Sequence, residues 1–183
     1  MNRIKKLIES YSNFISVPWR EGVAAEQRVI FCIYNMNDEL KLRSHLGEFQ
    51  LATSKANHSW FQFDLTDTFA EWMSQERYAK SFFKKPETFP DPPEYYLKYL
   101  IKKFETYLKT QEVDDNSVVC IYGVASLFGF LSVSNLVKEF SRLLEGRLVV
   151  MFPGSYENNI YRHLDAYDGW NYHAIPITSN KDF

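Results

Sequence analysis

VIFCIY, from Val29 to Tyr34, constrains this chain more than any other stretch: six apolar residues, β-branched or aromatic for the most part, with no polar alternation. A run that short and that continuous is the pattern of a central strand buried on both faces, which belongs to a parallel sheet covered by helices on each side. VVCIYGV (Val118 to Val124) and RLVVMF (Arg147 to Phe152) read as further strands, and WFQFDL (Trp60 to Leu65) as another. YHAIPI (Tyr172 to Ile177) supplies a fifth, with Pro176 marking an edge or a strand end.

Between these runs the apolar period changes to that of a helix. Ile4, Leu7, Ile8, Tyr11, Phe14 and Ile15 recur at three and four residues, which predicts an amphipathic helix over about 2–16. Asn35 to Asp38 make a turn and helix start, after which Leu42, Leu46 and Phe49 share one helical face. Thr68 and Glu71 stand at capping-box spacing ahead of Trp72 and Met73. KKPETFPDPPEYY holds four of the seven prolines and is a connection; its end starts a helix, with Asp91 as cap, Pro92 and Pro93 in the first turn, and Leu97, Leu100, Ile101, Phe104 and Leu108 as the stripe. Leu136, Phe140, Leu143 and Leu144 mark one more helix. Strands alternating with helices predict an α/β fold: a single domain over 1–183, with a mainly parallel sheet of about five strands covered by helices on both faces.

Formal net charge is −2, so no global basic field draws the chain to phosphates or to an anionic membrane. The lysines from Lys80 to Lys109 are interleaved with Glu87, Asp91, Glu94 and Glu105, which predicts a solvated helix face. Cys32 and Cys120 sit inside apolar runs and read as small buried hydrophobes, a usage that fits a reducing cytoplasm. No charged side chain occurs from Ser117 to Val137, a length that spans a bilayer, but serines, glycines and an asparagine interrupt it, and a buried strand running into a helix explains it better. At the amino terminus Glu9, Ser10, Ser12 and Asn13 interrupt any signal-peptide core.

In open α/β sheets chemistry collects beyond the carboxyl ends of the strands, which here offer Tyr34, Asn35, Asp64, Gly123, Pro153 and Gly154. GVASLFGFLSVSN lacks the phosphate-loop lysine and the dinucleotide glycines, so Gly123 and Gly129 serve turns or close packing. The four histidines are scattered, with no HExxH and no cysteine companions, and no GxSxG elbow accompanies the serines. No cofactor and no metal are expected. Phe152, Pro153 and Gly154 read as a hard stop after the fourth strand. Beyond them Tyr156, Tyr161, Tyr167, Trp170 and Tyr172 stand among Glu157, Asn158, Asn159, Arg162, Asp165 and Asp168. Tyrosine, tryptophan and arginine are the hot-spot residues of interfaces; the plainer alternative is that these aromatics cover the end of the sheet.

At these residues the chain resembles a known family. GVASLFGFLSVSNL and GRLVVMFPGSYENNIYRHLDAYDGWNYHAIPIT are similar to the carboxy-terminal half of BrxB, a small component of the BREX bacteriophage-exclusion systems; VIFCIYNMNDELKLRSHL and WFQFDLTDTFAEWM are similar to its amino-terminal half. The FPG-x-Y-ENN-x-YR and DGWNY-x-A-x-PI segments are the specific part, and the matching positions include Gly123, Pro153, Gly154, Tyr156, Glu157, Asn158, Asn159, Tyr161, Arg162, Asp168, Trp170 and Tyr172. The resemblance implies a cytoplasmic antiviral-defence protein encoded beside a PglZ-like protein of the alkaline-phosphatase superfamily, a large ATPase and a DNA methyltransferase. It supplies no catalytic residues. Ser155 stands where an acidic residue is expected in many relatives, so no carboxylate there is essential.

The leading expectation is a non-catalytic accessory or scaffold subunit. It binds the PglZ-like component through Tyr156, Glu157, Asn158, Asn159, Tyr161, Arg162, Asp168, Trp170 and Tyr172, with Gly123, Pro153 and Gly154 as structural turns; the BREX ATPase and the methyltransferase are the other partners to test. The alternatives are a metal-dependent nuclease or nucleotide-processing enzyme using Asp64 with Glu157 or Asp168, and direct DNA binding by the Lys80 to Lys109 region. On the leading reading nucleic acid is reached only through the larger complex, and no membrane is involved.

Overall fold

A computed structural model of the chain describes residues 3–88, 92–157, 160–163, 166–170 and 174–179. The strands among them are β1 (Val29–Tyr34), β2 (Ser59–Asp64), β3 (Ser117–Tyr122), β4 (Arg147–Glu157), β5 (Ile160–His163), β6 (Ala166–Trp170) and β7 (Ile175–Ile177). Five of them form a parallel sheet in the order β2-β3-β4-β1-β7. Register follows the apolar runs directly: Val29 lies opposite Leu148 and Tyr34 opposite Pro153. Pro176 sits in β7 at the edge of this sheet, where its missing N–H costs no ladder bond on the outer side.

The helices are α1 (Arg3–Ile15), α2 (Glu39–Ser44), α3 (Leu46–Lys55), α4 (Thr68–Gln75), α5 (Ala79–Lys84), α6 (Pro92–Thr110) and α7 (Val133–Leu143). The chain crosses from β1 to β2 in one direction and returns through β3 to β4 in the other. Crossovers of one hand that run in opposite directions lie on opposite faces of a sheet. Accordingly α1 and α3 cover one face, with Ile4, Leu7, Tyr11 and Phe49 against Ile30, Cys32, Cys120 and Val149. α4, α6 and α7 cover the other, with Trp72, Leu100, Phe104 and Phe140 against Phe31, Phe63, Val119 and Val150. Burying each such side chain fully stabilises the fold by about 1.5–3 kcal/mol before conformational entropy is subtracted. The Phe104 and Phe140 rings stack with centroids 3.9 Å apart, which locks α6 to α7. The domain is therefore one sheet with two cores, the architecture expected from VIFCIY.

Cys32 and Cys120 are free and fully buried, and burial pushes both thiols up from their ordinary range. The charge-free stretch from Ser117 to Val137 divides into β3, a short 3-10 turn and the start of α7. Among the described residues no helix is long and apolar enough to cross a membrane. In the lysine-rich region Lys98 pairs with Glu94 and Lys103 with Glu71.

Several local expectations are corrected. The helix through Leu42, Leu46 and Phe49 is two helices, broken at His45, whose φ of −108° and ψ of 5° leave the helical region. Thr68 does not cap α4: its buried hydroxyl donates to the Leu65 carbonyl, 2.8 Å away, and shares a hydrogen bond with Tyr96. Asp91, assigned as the cap of α6, lies outside the described residues. The largest difference is at Pro153 and Gly154. The chain does not stop there, because β4 runs on as an unbroken strand to Glu157 and then pairs with β5 in an antiparallel extension that β6 continues.

Candidate functional site

Two groups of residues meet at the carboxyl end of the sheet. The first is the extension itself. Gly154 is needed for space rather than for an unusual φ: a β-carbon there would stand 2.0 Å from the carbonyl oxygen of Arg162, so only glycine lets β5 come that close. The ladder then runs Ser155 opposite Arg162, Tyr156 opposite Tyr161 and Glu157 opposite Ile160. On the far side of β5, Tyr161 pairs with Trp170 and His163 with Ala166, with a register shift between them. β6 pairs, among the described residues, with β5 alone.

Tyr161 is not a surface residue. Its ring is 1 % exposed, packs 4.8 Å from Phe31, and its hydroxyl donates to the Ala174 carbonyl at 2.9 Å. This contradicts its place among the docking candidates; the plainer alternative, an aromatic covering the end of the sheet, is what Tyr161 does. Burial also raises its phenol well above the ordinary value. Tyr156 is half-buried, tilted against Tyr161 at 4.8 Å. Arg162 is exposed. Glu157, Asp168 and Trp170 are placed by their backbones, Glu157 at the end of β4 and the other two on β6. Asn158, Asn159 and Tyr172 lie outside the described residues.

A cavity of about 470 Å³ opens beside this extension, over the ends of β1, β4 and β7. Its walls include Tyr34, Asn35, Ser155 and Tyr156, with Arg3 from α1 and Asp38 from the turn after β1. Asp38 pairs with Arg3 at 3.2 Å and with Lys41 at 3.8 Å. Its Oδ2 is nevertheless buried with no donor in hydrogen-bonding geometry.

The second group is a polar network across the ends of β1, β2 and β3. Tyr34 donates its hydroxyl to Glu39, and Arg43 donates Nε to the other oxygen of that carboxylate at 2.7 Å. Arg43 also donates Nη2 to Thr66 at 2.9 Å and lies over the Tyr122 ring, 5.4 Å from its centroid. Thr66 in turn donates its hydroxyl and its main-chain N–H to Asp64, at 2.5 and 2.9 Å. Gly123 closes the floor with a φ of 74°, and a β-carbon there would meet Thr66 Oγ1 at 2.5 Å, so the turn expected at this glycine is present. Burial first, and then the hydrogen bond to Glu39, raises the Tyr34 phenol; burial and then the Asp64 charge raise that of Tyr122.

Glu39 therefore spends both carboxylate oxygens on Tyr34 and Arg43, and Asp64 spends Oδ1 on Thr66, which binds α2 and the loop after β2 to the strand ends. No group of three or more His, Cys, Asp and Glu able to hold a metal occurs among the described residues. The strand-end rule pointed to Tyr34, Asp64 and Gly123; it missed Thr66, two residues beyond β2, and Glu39 and Arg43, five and nine residues beyond β1 on α2. No family model, no curated protein and no solved structure matches this chain.

Proposed function

We propose that the chain is a non-catalytic accessory or scaffold subunit of a BREX-type phage-exclusion complex, and that it docks the PglZ-like alkaline-phosphatase-superfamily component through the β4–β5–β6 extension. One observation carries the docking part. β4 leaves the parallel sheet and builds an antiparallel extension whose outer strand pairs on one side only among the described residues, so β6 offers main-chain N–H and C=O groups to an added strand. The cavity of about 470 Å³ beside it, with Tyr156 in its wall, gives a partner side chain a place to anchor. The assignment to the defence system rests on the resemblance in the FPG-x-Y-ENN-x-YR and DGWNY-x-A-x-PI segments.

The test is the affinity of folded Arg162→Ala and Trp170→Ala variants for the purified PglZ-like protein. Each true hot spot weakens binding by about 2 kcal/mol or more. Unchanged affinity in both variants places the interface elsewhere, and Tyr161→Ala is excluded as a probe because its ring belongs to the core.

A further inference from the structure

The opposite end of the sheet carries an arrangement that the docking role does not use. The segment from Ser16 to Ala24 folds across the amino ends of β1, β3 and β4 and lays Trp19 there. One face of its indole stacks on the His58 imidazole, with centroids 3.7 Å apart and planes 9° apart; the Arg147 guanidinium lies 4.6 Å from the indole centroid. Asn116 fixes the histidine: Nδ1 donates to Asn116 Oδ1 at 2.6 Å, and Asn116 Nδ2 donates to the Asn57 carbonyl, which settles the amide orientation.

Arg28 and Arg147 converge at this point. Arg28 donates to the main-chain carbonyl of Glu145 at 3.0 Å, and Arg147 to that of Arg20 at 3.4 Å. Two guanidiniums carry ten N–H groups between them, so donors far exceed acceptors. Arg28 Nε and Trp19 Nε1 are both buried without a hydrogen-bond partner. None of the ion pairs among the described residues joins Arg20, Arg28 or Arg147 to a carboxylate. Glu21, Asp115 and Glu145 border the same hollow, but all three are exposed and screened by solvent. Burial first, and then the neighbouring Arg28 charge, lowers the Arg147 pKa, the response expected of a cation held near another cation without an anion.

The hollow has two halves with a common wall of Trp19, Arg20, Val23 and Arg147. The polar half, about 610 Å³, contains Arg28, His58 and Asn116. The other half, about 480 Å³, is apolar, with Phe14, Val17, Pro18 and Ile175; Val17 is 59 % exposed, a large hydrophobic residue with little cover. A ligand that satisfies both halves has a flat apolar body and an anionic end, and paired arginine forks match the oxygens of a phosphate dianion better than a single carboxylate.

We propose that this cleft binds a nucleotide-class ligand, with its phosphate on Arg28 and Arg147 and its base in the apolar half bounded by Phe14, Val17 and Val23. The site is independent of the docking surface, from which the length of the parallel strands separates it. It also departs from the usual placement of α/β ligand sites at the carboxyl ends of strands: here arginine side chains, rather than helix amino termini, supply the positive charge.

Isothermal titration of the full chain with each of the four ribonucleoside 5′-monophosphates, with adenosine, and with inorganic phosphate tests this. At least one nucleotide is expected to bind with a Kd below about 1 mM. Phosphate alone and adenosine alone are each expected to bind about tenfold more weakly or worse. Arg28→Gln and Arg147→Gln are expected to weaken the nucleotide by about tenfold or more, because each removes a charge-assisted contact, whereas Arg142→Gln on α7 leaves it unchanged. Should either cleft variant fail to fold, Arg20→Gln at an exposed position replaces it, with a smaller loss in the same direction. Absence of binding by all four nucleotides overturns the proposal. So does inorganic phosphate binding as tightly as the best nucleotide, or an affinity insensitive to every cleft substitution.

Discussion

The α-carbon of Gly154 on β4 is pressed against the main-chain carbonyl of Arg162 on β5, at a separation that leaves no room for a methyl group. The extension proposed as the docking surface is hinged on that contact. Gly154→Ala is expected to push β5 off β4 and to destabilise the fold by about 2 kcal/mol or more. Urea denaturation of the variant, with amide exchange along β5, is the check. An alanine variant of wild-type stability and wild-type exchange would mean that the hairpin is not anchored at this point.

Tyr161 separates packing from binding. Tyr161→Phe removes only the hydroxyl that donates to the Ala174 carbonyl and is expected to cost about 1 kcal/mol. Tyr161→Ala also empties the space beside Phe31 and is expected to cost about 3–5 kcal/mol. Equal stability losses for the two variants, measured by denaturant unfolding, would contradict the buried position.

Four buried acids predict a loss of stability in alkali. Tyr11 and Tyr34, together with the thiols of Cys32 and Cys120, all have folded-state pKa values raised by burial. For a raised group the contribution is complete below the unfolded value and is lost as pH climbs toward the folded one. The loss therefore begins at about pH 8.5–9 for the thiols and about pH 10 for the phenols, at about 1.4 kcal/mol per pH unit for each proton released on unfolding. Unfolding free energy measured from pH 7 to pH 11 should be flat at first and then fall steeply. Stability that holds constant to pH 11 would show that these groups titrate as freely in the folded chain as in the unfolded one.

The fold was legible wherever one physical signal dominated. Unbroken apolar runs located β1, β3 and the first part of β4, and the three- and four-residue spacing located α1, α6 and α7, because burial on both faces of a sheet leaves little choice of residue. The β4–β5–β6 extension was illegible for the opposite reason. Pro153 and Gly154 have the composition of a turn, but Pro153 occupies a strand, and Gly154 is demanded by a neighbouring carbonyl that lies eight residues on in sequence and is not apparent before folding. Tyr161 looked like an interface residue because a tyrosine with one bonded hydroxyl can sit equally well in a core. The Tyr34–Glu39–Arg43–Thr66–Asp64 network and the Trp19–His58–Arg147 stack draw on residues from separate elements, so no spacing along the chain announces them.

The proposed function is the docking of another protein. Its most direct test is co-expression with the PglZ-like protein, capture through a tag on one partner, and size-exclusion chromatography with light scattering at low and high salt. On the docking proposal a discrete complex of fixed mass is expected to persist at high salt, since main-chain strand pairing and aromatic anchoring are little screened by ions. Two proteins that elute separately under both conditions, each at its own mass, would contradict it.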